Sequence, residues 1–179
     1  METQVNDLKL KYPVGRFQSP ETITKEHISH WIKDLEELPL NLNKAINGLN
    51  DKQLDVPYRD GGWTSRQVVH HLADSNMNAY IRFKLALTED HPQIKPYIES
   101  LWAELPDNRL PIEPSLKIIE GLHQRWTALL KSMDDKQFQR TIKHPELGTV
   151  ILDKYTGLYA WHARHHVAHI TELRERMGW

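Results

Sequence analysis

Near its C-terminus the chain reads Tyr159-Ala160-Trp161-His162-Ala163-Arg164-His165-His166-Val167-Ala168-His169-Ile170, which places four of its eleven histidines within eight residues. Neither Pro nor Gly interrupts residues 158–177, and the Ala, Leu, Arg and Glu residues around the histidines favour a helix. Side chains four positions apart lie on one face of a helix, so His162 and His166 point together toward its apolar stripe. His165 and His169 are displaced toward the flank of that stripe.

Two imidazoles turned into an apolar core are unfavourable unless a partner satisfies their ring nitrogens. Hydrogen-bonded core or surface histidines are one solution, and the H-x-x-x-H spacing on a helix arises often by chance. A divalent metal ion is another solution, because neutral imidazole is its commonest protein ligand. Two ligands do not complete a metal site, so a third has to come from elsewhere in the chain.

The composition restricts the class of protein. A length of 179 residues corresponds to a single domain, residues 1–179, that is long enough to bury a core. The formal net charge of −1, without a basic tract, argues against nucleic acid as the main partner. The absence of cysteine excludes a disulfide framework and a zinc–thiolate site. With no signal-peptide core and no bilayer-length apolar run, we expect a cytoplasmic protein without a membrane partner.

Apolar residues at helical spacing predict four long helices. The first follows a polar surface arm, residues 1–21, and begins after the N-cap residue Thr24. Pro39 lacks a backbone N–H, so we expect a kink or a brief break where it interrupts this helix. The third helix is predicted from about Ser115 to Met133, and the fourth contains the histidine stretch.

The start of the second helix is the most clearly specified of the four. A strong turn signal, Asp-Gly-Gly at residues 60–62, precedes it. Thr64 and Gln67 form a capping box, and Trp63 just before the cap matches the hydrophobic staple that accompanies such a box. The helix is predicted to run to about Thr88.

One face of this second helix carries a ribbon of polar residues. His71 lies nearer the apolar stripe than His70 does. Ser75, Asn78 and Arg82 continue the face of His71 at spacings of four, three and four residues. A polar ribbon beside an apolar stripe predicts either the wall of an internal cleft or a solvated helix edge.

The remaining segments complete an all-α prediction. Five prolines in residues 89–114 predict a long crossover between helices two and three, with at most a turn or two of helix. Residues 141–151 are typical of two short strands around a Pro/Gly turn. The expected fold is therefore a four-helix bundle with a short β-hairpin before the last helix. His123, on the third helix, is expected to have no partner.

Facing helices of a four-helix bundle can project ligands into its core. His71, His162 and His166 would supply three neutral nitrogen ligands, the pattern of a catalytic rather than a structural zinc site. The open fourth position could take water, whose pKa the dication lowers, or a thiol that it holds as thiolate. Asp74 and Glu172 are candidates to orient the far ring nitrogens.

Two motifs carry a family resemblance. The first reads Gly62-Trp63-Thr64-Ser65-Arg66-Gln67-Val68-Val69-His70-His71-Leu72-Ala73-Asp74-Ser75, and the second pairs Trp161-His162 with His166-Val167-Ala168-His169-Ile170. Together they resemble the DinB superfamily, in particular its YfiT branch, from Tyr12 to Trp179. The resemblance implies a four-helix bundle, often a homodimer, with zinc or nickel on three histidines, which by position are His71, His162 and His166. Members of that branch are named as metal-dependent hydrolases and include bacillithiol S-transferases.

Three functions are compatible with these observations. The first is a hydrolase of a small molecule, in which one divalent metal ion per chain, zinc or alternatively nickel, activates water. The second is a bacillithiol-type S-transferase, in which the same metal activates a low-molecular-weight thiol; the absence of cysteine fits this reading, since the nucleophile would arrive with the cosubstrate. The third is a non-enzymatic, metal-binding stress-response module, which a fourth protein ligand such as His169 would favour.

Overall fold

The structure is a computed structural model that describes residues 8–179. The first third of the predicted arm, residues 1–7, therefore lies outside the described residues. Four long helices make up most of the fold: α1 (Lys25–Ile46), α2 (Ser65–Thr88), α3 (Glu113–Ser132) and α4 (Leu152–Met177). The predicted number, order and approximate bounds of the long helices are confirmed.

Short elements lie in the connections between the long helices. They are the helical turns Asp51–Leu54, Glu99–Trp102 and Asp135–Phe138, the 3-10 turn Pro106–Arg109, and the strands β1 (Thr141–His144) and β2 (Gly148–Ile151). The two strands pair antiparallel, with Ile142 opposite Val150. Both the long crossover with two helical turns and the hairpin before α4 are as predicted.

Each long helix packs against two others. Helix α1 packs against α3 and α4, and α2 packs against the same two helices. Consequently α1 and α2, which are consecutive in the sequence, lie diagonally opposite one another in the bundle. This arrangement places the histidine-bearing faces of α2 and α4 side by side.

The interior is filled by two clusters of buried apolar side chains. The first is centred on Trp126, Phe83 and Tyr155. The second includes Leu72 and Ile170, which lie close in sequence to the histidines of α2 and α4. Burying side chains of this size contributes about 1.5–3 kcal/mol each. None of the helices in the described part of the chain is both long and apolar enough to cross a bilayer.

Pro39 does not break α1, which continues from Lys25 to Ile46. Because proline has no backbone N–H, the carbonyl of Leu35, four residues earlier, loses its partner within the helix. His123 on α3 takes that place, since its Nδ1–H donates to Leu35 O over 2.7 Å. Its Nε2 in turn accepts from the side-chain amide of Asn76 on α2 over 2.9 Å. The expectation that His123 has no partner is therefore wrong.

We expect His123→Leu to lower the free energy of unfolding by about 3 kcal/mol, because Leu35 O and the Asn76 amide are left buried without partners. Pro39→Ala restores a backbone N–H that faces Leu35 O. The double variant should therefore lose less stability than the sum of the two single variants, as measured by urea unfolding. Strictly additive losses would show that His123 does not compensate for the missing proline N–H.

Burial lowers the pKa of His123 to about 4, although its hydrogen bond to Leu35 O opposes this change. In the unfolded chain the ring protonates near its ordinary pKa of about 6.5, so the unfolded state gains protons first as the pH falls. Between pH 7.5 and pH 5 the stability advantage of the wild type over His123→Leu should therefore shrink by about 2 kcal/mol. Urea unfolding of both proteins in EDTA at the two pH values measures this, and an unchanged difference would contradict it.

Candidate metal centre

The turn before α2 holds two aromatic residues side by side. Gly62 N–H donates to Arg59 O over 3.0 Å, and Tyr58 N–H donates to Trp63 O over 3.0 Å. Gly61 has a φ of 61°, in the left-handed region that glycine adopts without strain. The Asp-Gly-Gly signal therefore does more than change the chain direction, because it sets Tyr58 against the ring of His169 and Trp63 against the ring of His71.

The N-terminus of α2 is fixed by contacts on both sides. Thr64 Oγ1 accepts from Gln67 N–H over 3.1 Å, and Gln67 Oε1 accepts from Thr64 N–H over 3.0 Å, which confirms the predicted capping box. Arg66, which is buried, donates to the Asp55 carboxylate over 2.7 Å. These contacts determine where the helix starts and hence the direction in which His71 points.

Helix α4 approaches α1 closely at one glycine. A Cβ on Gly157 would lie 2.8 Å from the ring of Trp31, closer than real side chains approach one another. The absence of a side chain at this position lets the indole pack directly on the α4 backbone. The contact holds α4 against α1 just before the histidine stretch begins.

Three imidazole rings meet between α2 and α4. His71 Nε2 lies 3.2 Å from His162 Nε2, and His166 Nε2 lies 3.1 Å from the same atom. One ligand nitrogen from each of the three residues falls within 4.8 Å of the others. His71 and His166 are buried, and His162 is half-buried. The structure thus brings together the three histidines that the helical wheels and the family resemblance singled out.

The spacing of these nitrogens suits a metal ion better than hydrogen bonding among the rings. A ring nitrogen has either one hydrogen or one lone pair, so His162 Nε2 can make only one good hydrogen bond, yet it has two ring nitrogens beside it. Nitrogens about 2.0–2.1 Å from a tetrahedral zinc ion lie about 3.3 Å apart. The observed separations of 3.2 and 3.1 Å are close to that value.

Burial keeps all three rings neutral. It lowers the pKa of His71 to about 4 and holds the pKa values of His162 and His166 well below the ordinary value for histidine. Repulsion between the protonated forms of neighbouring histidines lowers all three pKa values further. Neutral imidazole is the form that binds metal, so at neutral pH the rings need not release a proton to act as ligands.

Aromatic rings enclose the three histidines. The ring centroid of Trp63 lies 4.6 Å from that of His71 and 6.2 Å from that of His166. The ring of Tyr159 lies 5.7 Å from that of His162. Across residues 8–179, the hydrogen bonds of these three imidazoles go only to other imidazoles and not to a carboxylate. A cation held here would keep its full positive charge.

His169, the last histidine of the stretch, lies behind the three candidate ligands His71, His162 and His166. His169 Nδ1 is 3.4 Å from His166 Nδ1, the nitrogen of His166 that does not face His162. His169 Nε2 is 3.3 Å from the backbone oxygen of Lys11 in the N-terminal arm. Tyr58 stacks on the His169 ring with centroids 3.8 Å apart. His169 therefore contacts a candidate ligand from outside and does not add a fourth nitrogen to the three.

The polar ribbon on α2 divides into a buried part and an edge. Ser75 and Arg82 are buried, and Arg82 donates from Nη1 to the hydroxyl of Tyr155 over 3.0 Å. Arg82 also donates to a backbone carbonyl of the crossover. Asn78 instead donates to the backbone oxygen of Asp74 in its own helix, over 2.9 Å. Arg82 is thus covered by α4 and the crossover, whereas Asn78 is half-buried and lies at the edge of the helix.

Two carboxylates expected to orient ring nitrogens do not contact them. Burial raises the pKa of Asp74 to about 6, and the charge of Asp107 in the crossover adds to the rise. Glu172 is half-buried on α4. Among the described residues, neither Asp74 nor Glu172 hydrogen-bonds to the three imidazoles, and the contact to the far nitrogen of His166 comes from His169.

His70 has a structural role that its neighbours in the sequence do not predict. Its Nε2 lies 3.1 Å from the backbone oxygen of Leu110, and its Nδ1 lies 2.7 Å from Ser115 Oγ. Because a carbonyl only accepts, Nε2 carries the hydrogen and Nδ1 accepts from the serine hydroxyl. His70 thereby ties the end of the crossover and the start of α3 to α2. Its partners lie 40 and 45 positions away, so no local pattern signals them.

A four-helix bundle whose second and fourth long helices bring three histidines together, two of them buried and one half-buried, defines the class of fold to which this chain belongs. The profile of the DinB superfamily matches residues 34–170, more than half of the chain. The chain therefore belongs to the DinB superfamily, as the two motifs predict.

Individual relatives are similar in sequence to this chain over nearly its full length. A Bacillus cereus (strain 03BB102) protein named "Putative metal-dependent hydrolase" is 57% identical over 175 residues, covering 98% of this chain and 100% of its own. A Bacillus mycoides (strain KBAB4) protein of the same description is 56% identical over 170 residues, covering 95% and 98%. Among solved structures, YfiT from Bacillus subtilis superposes with a TM-score of 0.92 at 53% identity, covering 96% of this chain and 99% of its own. YfiT is described as a probable metal-dependent hydrolase with an unusual four-helix bundle topology.

Proposed function

We propose that this protein is a metal-dependent hydrolase that holds one divalent ion, zinc or alternatively nickel, on His71, His162 and His166. The observation that carries the proposal is the approach of the three Nε2 atoms, with separations of 3.2 and 3.1 Å about His162. The description of the relatives as metal-dependent hydrolases supports the same reading. Three histidine ligands with an open fourth position are one of the donor sets of catalytic zinc ions.

A bound divalent ion would supply a Lewis acid that lowers the pKa of water and polarises a carbonyl group. The residues of the chain would hold the ion in place and would exclude water from the site. His162 is the least buried residue of the three proposed ligands. The rings of Trp63 and Tyr159 pack beside His71 and His162 and would limit the water that can reach the ion.

A second candidate is transfer of a low-molecular-weight thiol to an electrophile at the same ion. Among the described residues no carboxylate hydrogen-bonds to the three imidazoles, so none is fixed against the ligands as a general base for water. A thiol needs less help than water, because its ordinary pKa is about 8.5 and a nearby cation lowers it further. The chain has no cysteine of its own, so the thiol would be a cosubstrate.

A purely structural metal site is the weakest of the three readings. Structural zinc sites use four protein ligands. His169, the residue that could complete such a set, faces the opposite nitrogen of His166. In this orientation His169 would not complete a set of four protein ligands around the proposed ion.

We expect His166→Ala to abolish stoichiometric binding of Zn²⁺, because two remaining nitrogens on one face hold the ion too weakly to survive desalting. His30→Ala, which removes an exposed histidine from α1, should retain one ion per chain. Metal content after loading and gel filtration, measured by mass spectrometry, checks both. One equivalent of zinc retained by His166→Ala would reject the ligand assignment.

The two enzymatic readings separate in a paired assay. A hydrolase should cleave some member of a panel of chromogenic esters and amides without added thiol, and should lose this activity on metal removal and in His166→Ala. A transferase should conjugate monochlorobimane only when bacillithiol or a similar thiol is present. Metal-dependent conjugation without hydrolysis of any panel member would replace the hydrolase proposal with the transferase.

A further inference from the structure

A second group of histidines lies behind the proposed ligands. His165, His166 and His169 are buried, and one ring nitrogen from each lies within 4.8 Å of the others. His166 belongs to both groups, because its Nε2 faces His162 while its Nδ1 faces His169. A neutral imidazole carries one hydrogen, so the state of His166 Nδ1 decides whether Nε2 has a lone pair to offer.

The backbone of the N-terminal arm sets the direction of the hydrogen bonds. A carbonyl oxygen only accepts, so His169 Nε2, 3.3 Å from Lys11 O, carries a hydrogen. The His169 ring is buried, and no carboxylate within residues 8–179 hydrogen-bonds to it. An imidazolium would be unfavourable in this setting, so the ring is neutral and its Nδ1 has a lone pair.

The next contact follows from this assignment. His169 Nδ1 and His166 Nδ1 are 3.4 Å apart, and two lone pairs facing one another would repel. The contact is a hydrogen bond only when His166 Nδ1 donates to His169 Nδ1. His166 Nε2 then carries a lone pair, and that lone pair points toward His162 and the centre of the proposed site.

We propose that His169 is a positioning residue that holds His166 in its Nδ1–H tautomer, with the direction set by the backbone carbonyl of Lys11. The inference rests on the proposed metal site and makes the N-terminal arm part of it. The arm is held there by Trp161, whose Nε1–H donates to Gly15 O over 3.0 Å. His162 has no comparable support, since its Nδ1 is buried without a hydrogen-bond partner in the described chain.

Substitutions at His169 separate hydrogen bonding from packing. His169→Phe keeps a ring that can stack on Tyr58 but removes both nitrogens, whereas His169→Gln keeps a donor and an acceptor. The matched control is His165→Phe, which removes another buried histidine of the same group, stacked on Trp161. We expect His169→Phe to weaken Zn²⁺ binding about 10- to 100-fold in competition with a chromogenic chelator. His169→Gln should lose less, and His165→Phe should stay near the wild type.

Nitrogen-15 NMR of the metal-free protein tests the tautomer directly, without metal or activity. Long-range correlations within the imidazole should identify His166 as the Nδ1–H form in the wild type and as a mixture or the Nε2–H form in His169→Phe. An Nε2–H form of His166 in the wild type would overturn the proposal, even if His169→Phe failed to fold. This readout is separate from the ligand assignment, which fails only if His166→Ala still binds metal.

Metal stoichiometry excludes the competing use of the same residues. Were His165, His166 and His169 a second metal site, the wild type would bind two equivalents of Zn²⁺, and His165→Phe and His169→Phe would each lose one. That result would overturn the proposal. One equivalent in the wild type, with weaker binding only in the His169 variants, is the result that the tautomer assignment requires.

Discussion

Each nitrogen of a buried imidazole needs a partner, and this requirement explains much of the interior of the bundle. His123 is satisfied by the carbonyl that Pro39 leaves free and by Asn76. His70 is satisfied by the crossover and the start of α3. Between α2 and α4 the described residues supply no such partners to the Nε2 atoms, which face one another instead. The same chemical demand thus yields structural histidines in one part of the core and a candidate ligand set in another.

The diagonal arrangement of the bundle is what makes the second case possible. Helices α1 and α2 are consecutive in the sequence but do not share a side of the bundle, so α2 packs on α4. The Asp-Gly-Gly turn and the capping box then fix the start of α2, while Gly157 lets α4 approach α1 closely. Each of these is a local feature, and together they bring residues of two distant segments to within hydrogen-bonding distance.

Local features were also the ones that the sequence predicted well. The Thr64–Gln67 capping box, the hairpin and the inward face of α4 follow from spacing and from turn chemistry, as does the pairing of His162 with His166. His70, His123 and His169 each have a backbone carbonyl of a distant segment among their partners, and these carbonyls could not be found in this way. A backbone carbonyl has no sequence signature, so only the packed structure reveals which one is free to accept.

The distance along the chain between the converging histidines has a thermodynamic consequence. His71 and His162 are separated by 91 positions and meet only when the whole bundle is assembled. Contacts between segments this far apart form more slowly than local helices, because the entropy cost of closing the long loop comes first. An ion bound by these nitrogens would therefore favour the native state alone. By linkage, a free-ion concentration one hundred times the dissociation constant would add about 2.7 kcal/mol to its stability, and the melting temperature would vary with the metal supply.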